Sequence, residues 1–153
     1  MWRAILFLAS IVAASGAQAR TLLGQYEGWG AFREPPGHCF ALAEPADRGA
    51  GGRPYIAISR TVGGGPPRLQ VVTGRPQRPD TPMRLEIGAQ SFVLRGANGG
   101  DARADARIIA AIRRADRLRV LGVDRLGRAF HEDYALPGAP SAIDAAILGC
   151  LRQ

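Results

Sequence analysis

Four side chains of this 153-residue chain offer thiol or imidazole chemistry: His38, Cys39, His131 and Cys150, its only histidines and cysteines. Cys39 with His131 would make a thiol–imidazole dyad for a hydrolase, the imidazole taking the proton that turns the sulfur into a nucleophile. All four together have the ligand types of a zinc site. The spacing opposes the metal, because structural zinc ligands come in pairs two to four residues apart, and adjacent His38 and Cys39 point to opposite faces of a strand. A Cys39–Cys150 disulfide is the third reading, and it would remove both sulfurs from either chemistry. His131-Glu132-Asp133 lacks the second histidine that a zinc-protease helix needs four residues on, and in a strand Glu132 and Asp133 alternate faces, so they make no acid–base pair. Ser59, Ser91 and Ser141 sit in no Gly-x-Ser-x-Gly elbow. The sequence thus assigns no catalytic residue, no metal site and no cofactor.

The start of the chain decides between the cysteine readings. Arg3 precedes an apolar run from Ala4 to Ala14, and Ala17-Gln18-Ala19 has the small-x-small pattern cut by signal peptidase. The run is shorter than the roughly 20 residues that a membrane-spanning helix needs. Residues 1–19 are therefore expected to be a signal peptide cleaved after Ala19, and residues 20–153 a single domain with no transmembrane segment, periplasmic or secreted. In such an oxidising compartment paired thiols become a disulfide. Joining Cys39 to Cys150 would stabilise the fold by about 4–5 kcal/mol on the chain-entropy account.

Charge supplies the remaining chemistry. Twenty basic residues face 13 acidic ones, for a net charge of +7, and every basic residue is arginine. The absence of lysine excludes Schiff-base chemistry and the phosphate-loop lysine. Arg103, Arg107 and Arg114 fall on one side of an expected helix, with Arg113, Arg117, Arg119, Arg125 and Arg128 close by in sequence. Arginine binds carboxylates and phosphates bidentately, so this region is a candidate anion-binding surface for an anionic polymer or lipid surface. The other reading is the wet face of an amphipathic helix in an arginine-for-lysine composition. Nucleic acid is not expected as a partner, because no aromatic platform is interleaved with the charges.

The elements that must position these groups are short. Most of the 11 prolines lie between Pro35 and Pro82, together with the glycine runs Gly51-Gly52 and Gly63-Gly64-Gly65, which excludes helices there. Strands are expected from Gln25 to Phe32, His38 to Ala43, Pro54 to Ser59 and Arg68 to Thr73. A Gly88-Ala89 hairpin loop sets Leu85 opposite Phe92 and Met83 opposite Leu94, all on one face with Ile87. A helix over about 105–115 starts from Asp105 as N-cap, with Ile108, Ile109 and Ile112 on its apolar side. Strands Arg117 to Val123 and Arg128 to Ala135 follow, joined by Asp124-Arg125-Leu126-Gly127 in a register that sets Leu121 opposite Phe130 and Arg119 opposite Glu132. A last helix over about 141–151 is capped by Ser141 with Asp144, and carries Cys150 on the face of Ile143 and Ile147. Short strands broken by turn residues give a mainly β, antiparallel sandwich with two short helices. Trp29, Phe32, Phe40, Phe92 and Phe130 are expected in its core.

In order, the export signal, Gly28-Trp29 on the first strand, Cys39 at the start of the second, the late helix-strand-strand unit, and Leu136-Pro137-Gly138 before a helix ending in Cys150 resemble the invasion-associated locus B family. The resemblance spans roughly Tyr26 to Cys150; this chain has Gly138-Ala139-Pro140 where a glycine-phenylalanine pair is more usual. It implies an immunoglobulin-like β-sandwich and a non-enzymatic, exported interaction or accessory protein. Its partner would be an envelope or host protein.

Overall fold

The computed structural model describes residues 19–47, 51–96 and 99–151. The expected signal peptide lies outside them except for Ala19. Five strands form the first sheet, β1 (Thr21–Tyr26), β2 (Trp29–Glu34), β3 (His38–Ala43), β4 (Tyr55–Thr61) and β5 (Arg68–Val72), in chain order. The second holds β6 (Met83–Ile87), β7 (Gln90–Leu94), β8 (Arg117–Val123) and β9 (Ala129–Ala135) in the order β7-β6-β8-β9, with α1 (Ala102–Ile112) between β7 and β8 and α2 (Ala139–Leu151) at the end. All pairings are antiparallel. This is the β-sandwich with two helices that the sequence predicts. The chain leaves the first sheet once, after β5, a simpler connectivity than the Greek-key crossings of an immunoglobulin sandwich.

One core joins both sheets and both helices. Trp29, Ala31, Cys39, Ala41, Ile56, Ile58, Leu69 and Val71 meet Leu85, Ile87, Leu94, Leu118, Val120 and Tyr134 there, with Ile108 and Ile112 from α1. On α2 the buried residues are Ala139, Ala142, Ile143, Ala146 and Cys150, and it packs chiefly on β2 and β3, whose inward side chains include Ala31, Cys39 and Ala41. Small side chains on both surfaces let the helix backbone approach the sheet closely. Trp29 Nε1–H donates to the Ala135 carbonyl at 2.9 Å and so links β2 to β9.

The Gly88-Ala89 hairpin has the expected register, with Leu85 opposite Phe92 and Met83 opposite Leu94. Four local expectations are corrected. The strand expected from Gln25 to Phe32 is two strands, split by a tight turn at Glu27-Gly28 with Glu27 at φ 51°. The β8–β9 register shifts by one: Gly122 faces Phe130, Leu121 faces His131 and Arg119 faces Asp133. The cause is Gly127, left-handed at φ 78° as the last residue of the Asp124–Gly127 turn, which lengthens the loop by one so that Asp124 N–H donates to the Arg128 carbonyl, while the Asp124 carboxylate accepts from both Leu126 N–H and Arg128 N–H. By the alternation of β9, Phe130, Glu132 and Tyr134 share the inward face.

Helix α1 begins three residues earlier than predicted, because Asp101 caps it, accepting from Ala104 N–H at 2.8 Å. Asp105, expected as the cap, is fully buried in the first turn, where it accepts from Arg68 Nε at 2.7 Å, Leu69 N–H at 3.2 Å and Gly100 N–H at 3.0 Å. Helix α2 also begins early. Gly138 accepts the first helical bond, from Ala142, and Pro140 fits the first turn, where its missing N–H is no loss. Ser141 is therefore inside the helix, and Asp144 pairs with Arg113 at 2.6 Å rather than completing a capping box.

Candidate functional site

Cys39 and Cys150 are bonded, with their Cα atoms 5.8 Å apart. The bond follows from the elements: Cys39 is the second residue of β3 and points inward, and Cys150 lies on the buried side of the last turn of α2. Oxidised, Cys39 has no thiolate to attack a substrate. His131 is exposed on the outward face of β9, its Nε2 3.9 Å from Asp133 Oδ2. His38 is on the outer face of the first sheet, where its ring stacks on Phe40 at 5.3 Å. The four residues of the dyad and zinc readings do not converge, and among the described residues no three metal-ligating side chains are gathered.

Beside His38 the outer face of the first sheet carries its own packed cluster. Phe32 stacks on Phe40 at 5.4 Å, and the Arg20 guanidinium lies 5.0 Å above Phe40 and 5.6 Å from Phe32. Arg20 also pairs with Glu34 at 2.6 Å, and this hydrogen bond holds the Glu34 carboxyl below its ordinary range. Phe40 is buried although it faces away from the central core. Phe32 and Phe92 are half-buried, whereas Trp29 and Phe130 are buried as expected.

Arg103 and Arg107 project from α1 opposite Ile108 and Ile112, and Arg114 stands in the turn that follows; all three are exposed. None of the three side chains makes a hydrogen bond or ion pair among the described residues. Their neighbours in sequence differ. Arg113 is bound to Asp144, Arg128 to Asp124 at 3.0 Å, and Arg119 to Asp133 through two contacts of 2.7 and 3.2 Å. Arg119 holds the Asp133 carboxyl below its usual range. The uncompensated positive surface is thus narrower than the sequence cluster.

Two of the clefts among the described residues lie away from α1. One, of about 420 Å³, is bordered by Gly74, His131, Glu132 and Asp133. Glu132 accepts from Gly74 N–H at 2.7 Å and from Tyr134 O–H at 3.2 Å; burial pushes its pKa up, against the pull of both bonds. Tyr134 is pushed up too, first by burial and then by the Glu132 charge. The larger cavity, about 620 Å³, is formed by the end of β5, the segment from Arg75 to Pro82, Met83 and the residues after β7, and brings together Arg75, Arg78 and Arg95. The sequence reading missed these three. Arg95 is far from the others in the chain, and the only local hint is the spacing Pro76, Pro79, Pro82, which suits an extended segment with three residues per turn.

No helix among the described residues is long and apolar enough to cross a membrane. Comparison with known protein families, with curated proteins and with solved structures found no match.

Proposed function

We propose that this is an exported, non-enzymatic interaction protein of the cell envelope or medium, of the kind that the resemblance to the invasion-associated locus B family implies. The observation that carries the proposal is the Cys39–Cys150 bond. A pair of cysteines 111 residues apart, both buried and oxidised, suits a chain that matures outside a reducing cytosol. The same bond removes the nucleophile of the competing Cys39/His131 hydrolase. The test is expression of the full chain in a bacterium, followed by fractionation, N-terminal sequencing and thiol titration. A periplasmic or secreted species that begins at Arg20, has no free thiol and crosslinks reproducibly to one envelope component supports the reading. Retention in the cytosol with two reactive thiols, or turnover of ester or amide substrates that ends when His131 is replaced, overturns it.

A second reading has its own observation. Arg103, Arg107 and Arg114 are exposed and lack acidic partners among the described residues, so they are free to contact an anionic polymer or lipid surface. Replacing the three with glutamine should abolish salt-sensitive retention on an anionic polysaccharide matrix; unchanged retention removes this reading.

A further inference from the structure

We propose that the cavity between the end of β5 and the start of β6 binds a small amphipathic anion, an apolar body carrying one carboxylate or sulfonate head. Its volume of about 620 Å³ falls within the range of small-molecule sites, about 300–1,000 Å³. The wall is apolar where the strands supply it: Val71, next to last in β5, and Met83, the first residue of β6, are both buried in the common core. The rim is cationic. Arg75, Arg78 and Arg95 line the cavity, against a single carboxylate, Asp80.

These arginines keep donors to give. Arg78 and Arg95 are exposed and have no ion-pair or hydrogen-bond partner for their side chains among the described residues. Arg75 reaches only to 3.5 Å from Asp124, a carboxylate already engaged by Leu126 N–H, Arg128 N–H and the Arg128 guanidinium. A carboxylate or sulfonate would take two parallel bonds from one such guanidinium, in geometry that a neutral head cannot reproduce.

The rim is also set in place before any ligand arrives. Arg78 N–H donates to the Val123 carbonyl at 2.8 Å and Arg125 N–H to the Pro76 carbonyl at 3.1 Å, which ties the segment to β8. Gln77 Nε2 closes the loop on the Thr81 carbonyl at 3.0 Å. Three prolines stiffen the same stretch, so little loop entropy remains to be lost on binding. The proposal does not depend on α1, whose arginines line neither cleft described above.

The test uses 8-anilinonaphthalene-1-sulfonate as the probe, titrated by fluorescence into the oxidised protein, with dodecanoate and dodecan-1-ol as competitors. One-to-one binding is expected, displaced by dodecanoate and at least about tenfold less well by the alcohol, the margin that loss of one charge-assisted hydrogen bond gives. The double variant R78Q/R95Q should weaken probe binding by about tenfold or more while its cooperative thermal transition stays in place; both side chains are exposed, so the fold does not need them. The triple variant of Arg103, Arg107 and Arg114 to glutamine should bind the probe as before. Equal displacement by acid and alcohol, several probes per chain, unchanged affinity in R78Q/R95Q, or loss of binding in the α1 variant overturns the proposal.

Discussion

Asp105 offers the sharpest test of how this fold is held. Its carboxylate is fully buried and accepts three hydrogen bonds, from the Arg68 guanidinium, Leu69 N–H and Gly100 N–H, and so ties α1 to β5. In D105A the three donors fare differently. The Arg68 side chain is half exposed and Gly100 is exposed, so water replaces the carboxylate there and each loss costs about 0.5–1.5 kcal/mol. Leu69 is 1% exposed, and its orphaned N–H costs about 1–3 kcal/mol. Together D105A should lose about 2–6 kcal/mol. D105N keeps one acceptor oxygen, best used on Leu69 and Arg68, and presents its amide to Gly100 N–H; a loss of about 1–2 kcal/mol is expected. The assay is urea unfolding of the oxidised protein followed by the fluorescence of Trp29, the one tryptophan beyond residue 19. A simple N-cap at Asp105 would instead lose about 1 kcal/mol on replacement by alanine, with no coupling to Arg68. The reasoning fails if D105A loses less than about 1 kcal/mol, or if a double-mutant cycle of D105A with R68Q shows no interaction.

Other consequences are equally concrete. Replacing both cysteines by alanine should lower stability by about 4–5 kcal/mol on the chain-entropy account, with a larger urea slope, measured against the oxidised parent. The pKa of Glu132 is raised by burial, so the folded state holds its proton more tightly than the unfolded chain; that contribution is full below the ordinary value of 4.5 and is lost as pH rises through the raised value. E132Q keeps an acceptor for Gly74 N–H and does not titrate, so its stability relative to the parent should improve between pH 4 and pH 7 in thermal melts; a constant difference would contradict the assignment. Gly138 has φ 88°, and an added Cβ would run into the Tyr26 carbonyl, so G138A should cost about 2 kcal/mol or more in the same urea assay.

Much of this architecture was readable because pattern and turn chemistry agreed. Met83, Leu85 and Ile87 alternate, and a two-residue loop fixed their partners, so the β6–β7 register followed from the sequence alone. The next hairpin was displaced by one residue because the turn signal at Asp124–Gly127 fits two loop lengths, and only the left-handed Gly127 distinguishes them. That single step gave Arg119 to Asp133 and set Glu132 opposite Val120 instead. Asp101 and Asp105 are both sound caps by type; the choice between them rests on Leu69 and Arg68, distant in the chain and invisible to a local reading. The cysteine pair and the exposed α1 arginines were legible, since they depend on composition and helical period. The Arg75, Arg78 and Arg95 rim was not, because a proline-rich loop and the end of a distant strand build it.

The bond between β3 and α2 also has a timetable. Cys39 leaves the ribosome 111 residues ahead of Cys150, which at roughly 5–20 residues per second is a delay on the order of 6–22 s. Until α2 follows, the Cys39 thiol has no partner, and Ala31, Cys39 and Ala41 lack the helix that covers them in the finished fold. An unpaired Cys39 is open to mispairing with foreign thiols, and the arrival of α2, with Cys150 in its last turn, brings that exposure to a close.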